Sequence, residues 1–144
     1  MFERILYPTD FSDVSKKALD YIKQLKEGGA KEVTVLHVLD ERGIDAAARY
    51  APGSSVEVEK KMREEAGQEI RSIEKELKER GFKVDARITI GIPLREILNI
   101  EGSEAISVIV IGSHGKSNLE EMLLGSVSEK VIRKCKSPVL VIKR

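Results

Sequence analysis

Apolar residues recur along this chain with two alternating periods, and the order of those periods is its most informative feature. Arg4-Ile5-Leu6-Tyr7 is a short, mostly apolar run closed by Pro8. A helical stripe follows, with Val14, Ala18, Leu19, Ile22 and Leu25 on one face, Ser12 placed as N-cap and Gly28-Gly29 as the stop. Glu32 to Leu39 (EVTVLHVL) is β-branched and almost continuously apolar, the pattern of a strand covered on both faces. Residues 40–55, with Gly43, Pro52 and Gly53, read as a long loop. A helix is expected from about Val56 to Arg80, striped by Val58, Met62, Ala66, Ile70, Ile73 and Leu77 and ended by Gly81.

Phe82, Val84, Ala86, Ile88 and Ile90 alternate with polar residues, which marks a half-buried strand at a sheet edge. Gly91 and Pro93 open a short helix carrying Leu94, Ile97 and Leu98. Ile106 to Ile111 is a buried strand, a Gly-rich turn follows, and a last helix spans about Ser126 to Lys134 before a final strand, Pro138 to Ile142. This β-α-β-α-β-α-β-α-β order predicts an α/β fold: one open, doubly wound, five-stranded parallel sheet with helices on both faces. No internal repeat or linker divides the chain, so residues 1–144 are expected to form a single domain.

Composition narrows the function classes. Lys and Arg total 25 against 24 Asp and Glu, a net charge of +1, so no global field draws in a nucleic acid or an anionic membrane. Three Phe, three Tyr and no Trp are too few for base-stacking platforms. The lone Cys135 excludes a disulfide framework and a Cys-rich zinc site, and the N-terminal apolar run is interrupted by Glu3 and Arg4. We therefore expect a cytoplasmic protein with no nucleic-acid or membrane partner.

The candidate chemistry lies in Gly112-Ser113-His114-Gly115-Lys116 and its continuation to Gly125-Ser126-Val127, between a buried strand and a helix. In an open parallel sheet ligands bind beyond the carboxyl ends of the strands. Glycines admit backbone N–H groups close to an anion, Lys116 adds positive charge, and a helix starting at Ser126 offers its N-terminal donors. Ser126 with Glu129 also spells a capping box. On these local signals a phosphate loop and a purely structural turn remain equal readings. Neither better-known motif is present: Gly115-Lys116-Ser117 ends like a P-loop, but Val110 stands where that motif needs glycine, and G-x-G-x-x-G is absent.

Gly112-x2-Gly115-x9-Gly125-Ser126 is similar to the spaced glycine signature of the universal stress protein family, in the branch that binds ATP. The likeness continues through LLGSVSEKVIRKCKSPVLVIK, and RILYPTDFSDVSKKAL and VTVLHV resemble the family's first strand and helix and its second strand. The resemblance implies a sheet in the order 3-2-1-4-5, which sets Asp10 opposite Gly112. It implies that Pro8, Thr9, Asp10 and Val38 line the nucleoside pocket. It also implies that Gly112, His114, Gly115 and Lys116 wrap the ribose and phosphates, and that Gly125, Ser126 and Val127 hold the outer phosphates. Mg2+ would ride on the phosphates, with no protein metal ligands and no catalytic residue assigned. The implied function is a nucleotide-dependent regulatory switch in the stress response.

Two alternatives stay open: a slow ATPase or phosphoryl-transfer enzyme on the same site, and a nucleotide-free dimerisation module. Electron transfer with flavin is disfavoured by the few aromatics. Glu120 and Glu121 lie in the spacer and are expected to face solvent. His37 reads as a satisfied core or pocket-wall residue and Cys135 as a small buried hydrophobe. The apolar last strand, residues 138–143, is expected to pair with its copy in a homodimer, as in relatives.

Overall fold

The computed structural model describes residues 1–50, 55–114 and 125–144. Five strands, β1 (Arg4–Pro8), β2 (Glu32–Asp40), β3 (Lys83–Gly91), β4 (Val108–Gly112) and β5 (Val139–Ile142), form one sheet in the order β3-β2-β1-β4-β5, every neighbouring pair parallel. The intervening helices are α1 (Asp13–Leu25), α2 (Glu41–Tyr50), α3 (Ser55–Glu79), α4 (Pro93–Ser103) and α5 (Ser126–Lys134). The expected architecture and strand order are both present.

Side-chain alternation divides the core into two layers. Ile5, Tyr7, Val33, Val35, Val108 and Val110 point to one face and pack with Ala18, Leu19 and Ile22 of α1 and Ile70, Ile73 and Leu77 of α3. Leu6, Leu36, Ile109 and Ile111 point to the other face and pack with Ile97 and Ile100 of α4 and Val131 of α5. The central strands are buried on both faces over Ile5 to Pro8 of β1 and throughout β4, which explains the apolar runs there. β3 lies at the edge that its alternation predicts, and β5 forms the opposite edge.

The local start and stop signals mostly hold. Ser12 caps α1 by accepting from the Ser15 N–H at 3.3 Å, and Gly29 and Gly81 both adopt positive φ just past their helices. One expectation is corrected. Residues 41–50 are the helix α2, not loop. Ala46, Ala47 and Ala48 are strong helix formers, Ile44 is buried against the α1–α3 layer, and the Asp40 carboxylate accepts the Arg42 N–H at 3.0 Å. These gains outweigh Gly43, which costs about 1 kcal/mol inside a helix. Pro52 and Gly53 lie outside the described residues.

Candidate functional site

The chain winds outward from β1 through β2 to β3, then returns to place β4 on the other side of β1. The tips of β1 and β4 therefore flank the switch point, where successive connections leave in opposite directions and open a crevice. A cavity of about 730 Å3 occupies it. Pro8, Thr9 and Asp10 come from the β1 tip, Leu36, Val38 and Asp40 from β2, and Arg42 from α2. Pro93 and Ile97 of α4 form a wall, and Ile111, Gly112, His114 and Gly125 to Ser128 close the β4 side.

The β1 tip is held in an unusual backbone conformation. Phe11, not a glycine, has φ of 64°. The turn is locked from several directions: the Phe11 N–H donates to Thr9 Oγ1 (3.1 Å), the Ser12 N–H donates to Asp10 Oδ1 (3.0 Å), and the Phe11 ring stacks on His37 at 4.3 Å. His37 Nδ1 lies 2.8 Å from the Thr9 carbonyl, which can only accept, so that nitrogen carries the proton. His37 is thus a satisfied residue behind the site. Beneath it Ser15 Oγ donates to Thr9 Oγ1 at 2.6 Å and the buried Tyr7 hydroxyl donates to the Ser15 carbonyl at 2.6 Å. Burial raises the Tyr7 pKa above its ordinary value.

β2 contributes a polar backbone edge. Its pairing with β1 ends at Pro8↔Leu36, and the Thr9 N–H donates to the Leu36 carbonyl at 2.9 Å. Backbone groups alternate in direction along a strand, so Val38 turns its N–H and C=O the same way, beyond the end of β1 and into the crevice. Two residues further, Asp40 is gripped by Arg42: Nε donates to Oδ1 at 2.9 Å and Nη2 to Oδ2 at 2.7 Å. That fork holds Asp40 below the ordinary carboxylate range.

On the β4 side the glycines serve close packing of the chain itself. A Cβ on Gly112 would stand 3.0 Å from Val14 Cγ1 and 3.2 Å from the Ser15 nitrogen, so β4 meets the start of α1 only through glycine. Ser128 Oγ donates to the Gly112 carbonyl (2.6 Å), and the Gly125 N–H donates to the Ser113 carbonyl (2.6 Å). Ser113 Oγ lies 2.9 Å from His114 Nδ1. His114 is 3% exposed, and its Nε2 is buried with no hydrogen-bond partner among the described residues.

The capping box expected at Ser126 and Glu129 is not formed. Gly125 is the N-cap and Ser126 the first helical residue, so the Ser126 hydroxyl stands one position too late to cap. Among the described residues no side chain caps α5, and the Glu129 N–H closes the first turn on the Gly125 carbonyl. The helix N-terminus, with its partial positive charge, faces the cavity.

Of the residues singled out from sequence, Pro8, Thr9, Asp10, Val38, Gly112, His114, Gly125, Ser126 and Val127 line this one cavity. Gly115, Lys116, Glu120 and Glu121 lie outside the described residues. Asp40, Arg42, Pro93 and Ile97 were missed. Counting on by two from Val38 would have reached Asp40, since alternate strand residues share a face. Arg42 was hidden because its segment read as loop. Cys135 ends α5 half-buried and packs on the α4–α5 layer, less enclosed than expected.

A parallel sheet with a ligand-sized cleft at its reversal point, flanked by an uncapped helix start, defines a doubly wound α/β binding fold. The sequence model of the universal stress protein family matches residues 1–143, and the chain belongs to that family. It is 44% identical over 156 aligned residues to universal stress protein MJ0577 of Methanocaldococcus jannaschii, covering 100% of this chain and 96% of the relative. The solved structure of MJ0577 superposes with a TM-score of 0.90 at 47% identity, covering 100% of this chain and 97% of that one. A universal stress protein from Archaeoglobus fulgidus, solved in complex with dAMP, superposes at 0.63 with 22% identity over 99% and 98% of the two chains, a likeness of fold. Among the described residues no helix is long and apolar enough to cross a membrane.

Proposed function

We propose that this protein binds an adenine nucleotide, ATP foremost, in the cleft between the β1 and β4 tips, and that the bound nucleotide sets a regulatory state. The observation that carries the reading is the pairing, on the same side of one cavity, of an α5 N-terminus and a buried His114 Nε2 that both lack a side-chain partner among the described residues. A buried unsatisfied nitrogen costs about 1–3 kcal/mol, and phosphate oxygens would satisfy it together with the helix donors. Across the crevice, the Val38 N–H and C=O suit the acceptor and amine of adenine, beside Pro93 and Ile97. Asp10, which lines the cavity at the β1 tip between the two ends, is the carboxylate we assign to the ribose hydroxyls. The same fold in the Archaeoglobus protein holds dAMP. Mg2+ would be carried on the phosphates, where hard oxygen ligands are concentrated.

The test is direct. The purified chain is denatured and its released small molecules identified by mass spectrometry; the emptied protein is then titrated calorimetrically with ATP, AMP and cyclic AMP, with and without Mg2+. Heat of binding with ATP supports the reading, and the absence of both a released nucleotide and any heat overturns it.

We further infer that residues 1–144 act as one nucleotide-binding domain and that the protein is a homodimer through residues 138–143. β5 is a sheet edge whose Val139, Leu140 and Val141 remain only half-buried, a surface that a second copy would cover. Light scattering at micromolar concentration should give twice the 16.1 kDa chain mass.

A further inference from the structure

Resting on the nucleotide reading, we propose that Arg42 is the base-stacking residue of this site, its guanidinium held flat by Asp40 so that it covers the outer face of the bound base. The cavity has two chemically distinct ends. The α5 N-terminus, Gly125 and His114 lie on the β4 side. Val38, Asp40, Arg42, Pro93 and Ile97 lie on the β2 side. β1 separates the two, so these ends stand two strand spacings apart, roughly 10 Å. Phosphates belong at the first end and a base at the second.

Among the described residues, the apolar lining of the base end comes from Val38, Pro93 and Ile97. These give it an apolar floor, but no Phe, Tyr or Trp among the described residues lines the cavity. A base lying on that floor would turn its other face away from these three residues. Arg42 is the lining residue equipped to cover it. Its side chain is 67% exposed, yet it is pinned through Nε and Nη2 to both Asp40 oxygens, while its own N–H donates to Asp40 Oδ1. A guanidinium held by one edge keeps its faces free, and guanidinium planes stack on aromatic rings. The orientation is set before the ligand arrives, so little side-chain entropy is lost on binding. The ion pair therefore does more than decorate the start of α2: it fixes a planar cation on the lining of the cavity.

The experiment compares the full chain with Arg42→Ala and Arg42→Lys by calorimetry, using ATP, GTP and inorganic tripolyphosphate as probes, after thermal melts establish that each variant is folded. Arg42→Ala should weaken ATP binding roughly two- to fivefold, the range for an exposed cation on an aromatic face. GTP binding should fall by a similar factor wherever it is measurable, because stacking does not read the base edge. Tripolyphosphate binding should be unchanged. Arg42→Lys keeps the charge and loses the plane, and should recover only part of the loss. The proposal is overturned if Arg42→Ala binds ATP as tightly as the unaltered chain, or if tripolyphosphate weakens as much as ATP, which would make Arg42 a phosphate ligand. Failure of the unaltered chain to bind ATP overturns the nucleotide reading itself and is seen before any variant is made.

Discussion

The Cα of His114 lies 3.0 Å from the position that a Cβ on Gly125 would occupy. The obstacle is backbone, reinforced by the Ser113 carbonyl at 3.4 Å, so it cannot swing aside as a flexible side chain would. This contact brings the start of α5 against the β4 tip. Gly125→Ala should force the two segments apart, at a cost of about 1–3 kcal/mol for overpacking. It should also weaken any ligand that bridges His114 and the helix start. Thermal melts and ATP titration of the same variant check both effects, and an unchanged melting temperature would contradict the close approach.

Tyr7 ties β1 to α1 through its hydroxyl bond to the Ser15 carbonyl. Tyr7→Phe should cost about 1 kcal/mol, the net value of one buried hydrogen bond. The pH dependence follows from burial. The folded pKa is raised above the unfolded value near 10, so the neutral form is favoured in the fold. That stabilisation is complete below pH 10 and is lost as the pH rises through the higher folded value. Urea melts between pH 9 and pH 11 should fall more steeply for the parent than for Tyr7→Phe.

Glu104 organises charges under the amino ends of the strands. It accepts from Arg87 Nη1 at 2.6 Å and Nη2 at 2.8 Å, and from Arg4 Nη2 at 3.2 Å. Hydrogen bonding from Arg87 lowers the Glu104 pKa below its ordinary value. A lowered carboxylate pKa contributes stability above the unfolded value near 4.5, lost as the pH falls through the folded one. Glu104→Gln should therefore cost about 1 kcal/mol at neutral pH in low salt, given the partial exposure and screening. The difference should shrink below pH 4 and in 1 M salt.

Burial, with Glu101 adding to it, pushes the Cys135 thiol above its ordinary pKa, and its S–H donates to the Ser137 carbonyl at 3.4 Å. The thiolate is the reactive form. Alkylation of the native protein at neutral pH should be several-fold slower than that of a free cysteine, and denaturant should remove the difference. Rapid native alkylation would contradict the half-buried placement.

Particular residues show where sequence reading reached and where it stopped. The β2 and β4 runs announced burial because they are almost continuously apolar. Ser12 was legible as a cap, and Ser126 was misread as one, although both are serines before a helical stripe. The difference lies in tertiary contacts: Gly125, pressed against His114, takes the cap position, and Ser126 becomes the first helical residue. α2 was lost because Gly43 is a local breaker, whereas burial of Ile44 and the Asp40–Arg42 fork are decided by the neighbours.

The sequence by itself determined the alternation of strands and helices, the parallel sheet, and the small polar and glycine residues gathered after β4. These follow from periodicity and backbone freedom, which act over a few residues. Tertiary structure alone decided that β2 lends its backbone edge and the Asp40–Arg42 pair to the crevice, and that Gly112 and Gly125 are required by close contact with α1 and His114. It also left His114 Nε2 buried with no partner among the described residues. Such facts depend on which distant segments are packed together, and no pattern along a single stretch of chain encodes the identity of its neighbours.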